Sequence, residues 1–212
     1  MKTHALPVVV RHHAGFTLIE LMMVILLAGV FLTLAMPSFN ATLQRYRVSA
    51  AAAQIANALQ FARAEAIRTR NSITVGQTTS TADSSCTPDA GTPTDWHCGV
   101  DVYTAAGVQP LRTISASSLH AVHVRLTTSA AVHAGAVVGN TLVYAPMGYT
   151  TCAGCASGAP GGADSFIHIW PTVNGASDDP SAASVINTVC ALQGGKVRVV
   201  PSYVTAAAQC NN

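Results

Sequence analysis

The chain has 212 residues, of which half are hydrophobic and only 9% are charged, and its formal net charge is +2. Residues 1–15 contain Lys2 and Arg11 and no acid, so the remaining chain has nine basic and nine acidic residues. This balance excludes a uniformly basic surface of the kind that binds nucleic acid. The length favours one globular domain with additional elements over two full domains.

Residues 16–36 form an apolar segment in which Glu20 is the only charged residue. At ~1.5 Å per residue, a helix of this length covers about 30 Å, the thickness of a bilayer core. We therefore predict a transmembrane helix, with the basic residues before it in the cytoplasm and the rest of the chain outside. A candidate cleavage site that ends at Gly15 precedes this helix, so cleavage there would leave the helix in place.

Glu20 is the unusual residue of the segment. A carboxylate within an apolar span costs a few kcal/mol and is a functional candidate by default. Two interpretations remain open. The acid either reaches back to the membrane interface from near the helix end, or pairs with another charge when helices pack together.

The run Gly15-Phe16-Thr17-Leu18-Ile19-Glu20 resembles the type III leader of type IV pilins and type II secretion pseudopilins. The resemblance implies that residues 1–15 are a leader, and that a prepilin peptidase cuts after Gly15 and methylates the new amine of Phe16. It also implies that Glu20 pairs with the Phe16 amine of a neighbouring subunit during assembly. Pro37 lies where many pilins have a proline that weakens or kinks the helix.

Residues 37–70 are predicted to extend the helix beyond the membrane. An apolar stripe with spacings of four and three is predicted to face the globular domain: Val48, Ala52, Ile55, Leu59, Ala62 and Ala66. An offset stripe is predicted to face neighbouring helices or lipid: Phe39, Leu43, Tyr46 and Ala50. The five arginines of this stretch outnumber its one acid, Glu65, and a solvated helix face explains them better than a binding site does.

Residues 71–212 change to short β-rich runs separated by Gly, Pro, Ser and Asp. The pattern predicts strands near 72–78, 99–104, 110–115, 120–127, 141–145, 165–170, 184–190 and 196–200. Two long loops, 79–95 and 150–164, are predicted between them. The fold class is therefore α+β: a long N-terminal helix packed on an antiparallel sheet.

Four segments of this region resemble the GspH/FimT family of minor pilins and pseudopilins. They are Leu59–Arg68 ("ARSEAI"), Trp96–Tyr103 ("W-x-x-G"), Val143–Gly148 ("F-x-x-x-G") and Gly195–Val199 ("GRxR"). The resemblance implies a type IV pilin-like fold, other pilin subunits as partners, and a position at or near a filament tip. Both a type IV pilus and a type II secretion pseudopilus fit this interpretation.

One branch of that family binds DNA through the "GRxR" strand, which corresponds here to Gly195, Lys196 and Arg198. Alternation along a strand predicts that Lys196 and Arg198 share one face, from which they would reach phosphates rather than bases. Charge argues against strong binding, because residues 71–212 contain four cations and seven acids. DNA capture is therefore the alternative hypothesis, and a solvated terminal strand is the preferred one.

All six cysteines follow residue 85, and an even number fits disulfides in an exported domain. Sequence proximity favours the pairs Cys86–Cys98, Cys152–Cys155 and Cys190–Cys210, although other connectivities remain open. Cys152 and Cys155 have no second ligand pair at zinc spacing, and His120 and His123 would point to opposite sides of a strand. No metal, cofactor or catalytic motif is predicted, so the expected function is structural and not enzymatic.

Overall fold

The structure is a computed structural model, and it describes residues 15–78, 96, 98–104, 110–119, 121–128, 141–152, 164–172 and 179–211, with side chains throughout except at 34–38, 128 and 152. The prepilin leader predicted at 1–15 thus lies outside the described residues except for Gly15. The chain divides into two units, Met1–Thr42 and Leu43–Asn212.

The first helix, α1, runs from Leu18 to Thr69 and is continuous through Pro37. The Thr17 hydroxyl accepts a hydrogen bond from the Glu20 backbone N–H at 3.2 Å, which caps the first turn. Arg70, with a φ of 56°, is the first residue beyond the helix and has the left-handed conformation typical of a helix end.

In the first unit, every large apolar side chain from Phe16 to Leu32 is at least half exposed. The helix therefore presents apolar surface in all directions along this segment. Among the described residues, no helical stretch has the combined length and hydropathy required for crossing a membrane.

In the second unit, the predicted inward stripe of α1 is confirmed, because all six of its side chains are fully buried. They belong to one core that also contains buried side chains of seven strands, among them Val75, Val102, Ile167 and Val189. Tyr46, from the second predicted stripe, is 72% exposed. The long helix packed on antiparallel strands confirms the predicted α+β class.

The strands form two antiparallel sheets, where the sequence led us to expect one. The first contains β1 (Ile73–Gln77), β2 (Gly99–Thr104), β3 (Arg112–Ser115), β5 (Thr141–Tyr144) and β6 (Thr150–Cys152). The second contains β4 (Val122–Thr128), β7 (Ser165–Pro171), β8 (Asn187–Ala191) and β9 (Val197–Val200). The strand order is β3-β2-β1-β5-β6 in the first sheet and β4-β7-β8-β9 in the second.

Each predicted strand has a counterpart whose ends are displaced by at most three residues. Strand β6 was missed, since it lies at the start of the predicted loop 150–164 and is only three residues long. The loop 79–95 lies outside the described residues. Three short 3₁₀ helices complete the described elements, at Ala116–Leu119, Pro180–Ala182 and Ala207–Cys210.

A C-terminal strap, residues 201–211, covers the face of the second sheet that is turned away from the core. Phe166 and Cys190 of this face pack with Leu192, Val204 and Cys210 in a separate buried cluster. The predicted Cys190–Cys210 disulfide is formed and ties the strap to β8. Cys98 is also in a disulfide. Cys86, Cys155 and the side chain of Cys152 lie outside the described residues, so their predicted pairings remain predictions.

Candidate functional site

The two sheets meet beside α1 at a junction that we call the seam, residues 145–150 and 192–196. The Thr150 backbone N–H donates to the Gln193 carbonyl at 3.2 Å, and the buried Thr150 hydroxyl donates to the Leu192 carbonyl at 3.3 Å. The Gln193 N–H in turn donates to the Asp164 carboxylate at 2.8 Å. These bonds hold the β5–β6 turn against the β8–β9 turn.

Each turn of the seam contains a glycine in the left-handed region, Gly148 at φ 80° and Gly195 at φ 76°. A Cβ atom on Gly195 would lie 2.0 Å from the Gly148 carbonyl oxygen and 2.6 Å from Arg63 Nε. A Cβ atom on Gly148 would lie 2.8 Å from Ile67 Cδ1. Only glycine therefore allows the two turns and α1 to approach so closely.

Arg63 of α1 lies at the centre of this contact. Its Nη2 donates to the Gly194 carbonyl at 3.2 Å, and its buried Nε has no hydrogen-bond partner among the residues that the structure describes. The Tyr144 side chain is fully buried, and this burial raises the pKa of its phenol well above the usual range, although the nearby Arg63 charge opposes the shift. Tyr144 is consequently neutral at physiological pH.

Three segments that resemble family motifs therefore converge at the seam: the helical segment through Arg63, the turn through Gly148 and the turn through Gly195. The sequence supplied the motifs separately, and it gave no indication that they contact one another. The signal that could have found the contact is the presence of a glycine in each of two short turns, because such glycines commonly mark close backbone approach.

An open groove of about 450 Å³ lies between α1 and the β8–β9 turn. It is lined by Gln60, Arg63, Ala64, Ile67, Gly195, Lys196 and Val197. Lys196 is exposed, and Ile67 is 50% exposed. The groove thus combines cationic and apolar side chains at the surface of the second unit.

The residues predicted for DNA contact are separated by the structure. Lys196 precedes β9 and borders the groove, whereas Arg198 is half-buried and its Nη1 donates to the Cys210 carbonyl at 2.8 Å. The two cations therefore have different contacts, and the expectation that they share one strand face remains a prediction. Gly195 shapes the turn, and Arg198 holds the C-terminal strap.

The other two cations of residues 71–212, which we call the head, lie over aromatic rings. The Arg112 guanidinium is 5.8 Å from the centroid of Phe61, and that of Arg125 is 5.3 Å from the centroid of Trp170. Such contacts are structural cation–π interactions of modest energy. The two guanidinium groups therefore lie over different rings, one on the helix and one on the second sheet.

His168 of β7 is fully buried, a position that the sequence did not indicate. Its Nδ1 lies 3.1 Å from Thr188 Oγ1, and that hydroxyl donates to the Ser202 carbonyl at 2.6 Å. Since Thr188 has one hydrogen, it must accept from Nδ1–H, and Nε2 of the neutral ring is the acceptor. Nε2 lies 2.9 Å from Thr127 Oγ1, a hydroxyl that is also 3.3 Å from the Phe166 carbonyl. Burial lowers the pKa of His168 to about 4, and Arg125 contributes to this shift.

Metal binding has no support from the described parts of the chain, where no group of three or more His, Cys, Asp or Glu side chains could hold an ion. His123 stacks on Trp170 with ring centroids 5.1 Å apart. His120 lies outside the described residues.

The predicted processing and assembly residues lie at the start of α1. Gly15 has no other atom within 4 Å of where a Cβ would be, Phe16 is 86% exposed, and Glu20 is exposed in the first helical turn. Nothing in the described residues thus obstructs access to Gly15 and Phe16. The backbone of Pro37 is helical, and its predicted kink remains a prediction.

Two protein-family models match the amino-acid sequence. The prokaryotic N-terminal methylation motif matches residues 10–36. The family model described as type II transport protein GspH matches residues 51–163, which is more than half of the chain. The chain belongs to the GspH family. Of the seam residues in this GspH-family protein, 145–150 lie inside the matched range, together with Arg63 from α1.

Two crystal structures of the type IV minor pilin FimU from Pseudomonas aeruginosa strain PAO1 are similar to this GspH-family chain. One is 18% identical with a TM-score of 0.47, and the match covers 74% of this chain and 90% of FimU. The other, in a second crystal form, is 19% identical with a TM-score of 0.44, and the match covers 72% of this chain and 92% of FimU. No curated protein sequence is significantly similar to the chain.

Proposed function

We propose that this GspH-family protein is a non-enzymatic structural subunit, a minor pilin or pseudopilin, at or near the tip of a type IV pilus or type II secretion pseudopilus. The observation that carries the proposal is the combination of the N-terminal methylation motif with an apolar helical segment, residues 16–32, whose large side chains are all at least half exposed. Apolar surface of this extent is stable only when another apolar phase covers it. A membrane would cover it before assembly, and the helices of sister subunits would cover it afterwards.

The proposed maturation begins with a prepilin peptidase, which cuts after Gly15 and methylates the amine of Phe16. Glu20 then pairs with the Phe16 amine of a neighbouring subunit. A carboxylate in an apolar helix is costly when it is unpaired, so this pairing would favour the assembled state. Replacing Gly15 by a bulky residue should leave the precursor uncut, and a mature-sized band on a gel would contradict the assignment.

The proposed location is the bacterial inner membrane, crossed once by residues 16–36, with the head outside the cytoplasm. The basic residues before the apolar segment favour this orientation. The Cys190–Cys210 disulfide supports it, because disulfides persist in the periplasm and are rare in the cytosol.

Glu20→Ala provides the main test, with Glu65→Ala as the matched control. These are the only two acids of α1, and Glu65 already pairs with Arg68 through a hydrogen bond of 2.8 Å. Glu20→Ala should remain in the membrane fraction but be lost from sheared filaments, whereas Glu65→Ala should be recovered normally. Normal recovery of Glu20→Ala would rule out the role proposed for this carboxylate.

DNA capture during transformation is the alternative function. It rests on Lys196, which is exposed at the groove, and it is weakened by the engagement of Arg198 with the strap. A gel-shift titration with duplex DNA at low and moderate salt tests it, since phosphate contacts are lost as salt rises. Salt-sensitive binding that disappears in both Lys196→Ala and the double variant Lys196→Ala, Arg198→Ala would establish DNA capture.

A further inference from the structure

An exposed apolar patch lies beside the groove at the C-terminal end of α1. It consists of Ile67, Met147 and Tyr149, which are 50%, 85% and 40% exposed. The three are contiguous, because Gly148 lies between the latter two and its backbone approaches Ile67 so closely that a Cβ would clash. In the described part of the second unit, they make up half of the large apolar side chains that are exposed.

The groove next to the patch carries positive charge. Arg63 and Lys196 are among its lining residues, and no acid is. The nearby acid Glu65 is already neutralised by Arg68. The Asp164 carboxylate accepts a hydrogen bond from the Gln193 N–H at the seam. Within the described residues, Lys196 has no ion-pair partner.

We propose that the patch and the groove together dock a neighbouring filament subunit, through a segment that presents a carboxylate beside an apolar side chain. The carboxylate would enter the groove near Lys196, and the apolar side chain would cover Met147 and Ile67. This inference rests on the proposed function, because it requires that the protein assemble with other subunits.

Charge complementarity and composition favour a protein over a nucleic acid as the occupant. Methionine and aromatic side chains are enriched in protein–protein interfaces, whereas surfaces that bind DNA are dominated by positive charge. The patch and groove contain three apolar side chains and two cations, a composition that fits a protein–protein interface. A groove of about 450 Å³ accommodates side chains of a partner and not a folded element.

Photo-crosslinking in cells that produce filaments tests the proposal. A photoreactive phenylalanine analogue replaces Met147 in the full chain, and a matched control places it at Leu111, which is 44% exposed and outside the patch. The expected product joins the chain to a second subunit with a processed prepilin-type N-terminus, at a segment where Asp or Glu neighbours an apolar residue. The control position should give no such product.

A second variant tests the charge. Lys196→Glu should reduce the crosslink from position 147 by at least about tenfold, because like charges at an interface are strongly unfavourable, whereas Lys196→Arg should retain it. Lys196 is exposed, so the head should fold in both variants, and formation of the Cys190–Cys210 disulfide verifies this.

The outcomes separate this inference from the proposed function. If the chain is absent from sheared filaments, the proposed function fails and the docking surface fails with it. If the chain is present but position 147 gives no subunit crosslink, or Lys196→Glu leaves the crosslink unchanged, only the docking surface is overturned. A nuclease-sensitive product at position 147 would likewise overturn it and would assign the surface to nucleic acid.

Discussion

Replacing Gly195 by alanine should destabilise the head by about 3–5 kcal/mol. The left-handed conformation at φ 76° costs an alanine ~1–2 kcal/mol. The new Cβ would also lie 2.0 Å from the Gly148 carbonyl oxygen, a backbone atom, so the turn must shift. That shift would break the bond from Arg63 to the Gly194 carbonyl, and loss of a hydrogen bond to a charged group costs ~1.5–3 kcal/mol.

Urea unfolding of the full chain in detergent, followed by tryptophan fluorescence, measures this loss. Both tryptophans, Trp96 and Trp170, are buried in the second unit, so the signal reports on the head alone. Gly194→Ala is the matched control, since its Cβ would have no other atom within 4 Å and its φ is not in the left-handed region. The control should lose less than about 0.5 kcal/mol. Equal stability of the two variants would refute the argument that Gly195 permits close packing of the seam.

Three further predictions concern the second sheet and its strap. The pKa of His168 is about 4 in the folded state and near 6.5 in the unfolded state, so protons bind preferentially to the unfolded chain. The free energy of unfolding should therefore fall by about 3 kcal/mol as the pH drops from 6.5 to 4. Urea titrations of His168→Gln should lack that loss. Replacing Cys190 and Cys210 by serine should cost about 3 kcal/mol of stability, and an unchanged urea midpoint would contradict this. Arg198→Ala should cost ~1.5–3 kcal/mol and increase amide hydrogen exchange in the strap, whereas exchange limited to β9 would argue against its contact with Cys210.

Local patterns allowed much of the fold to be predicted. The spacing of Val48, Ile55 and Leu59 identified the buried face of α1 because a helix repeats every 3.6 residues. Alternating β-rich runs between turn residues located eight of the nine described strands. The pairing of Cys190 with Cys210 was predicted correctly because they are consecutive cysteines along the chain.

Long-range contacts account for what the sequence did not reveal. The division into two sheets depends on pairing between distant strands, such as β4 with β7, and single-strand patterns contain no information on partners. The seam depends on Arg63 meeting Gly148 and Gly195, which are 85 and 132 residues further along the sequence. Arg198 looked like a solvated cation, since nothing near it in the sequence shows that the Cys210 carbonyl lies within reach.

The disulfide between the strap and β8 also determines how the head responds to mechanical force. Tension applied at the C-terminal end enters the sheet through Cys210 and Cys190, in a strand that has a neighbour on each side. Without that covalent link, the same tension would act first on β9, an edge strand that can be peeled away one hydrogen bond at a time. Tension at this end would therefore be carried by an internal strand, which can leave the sheet only when its hydrogen bonds to both β7 and β9 break.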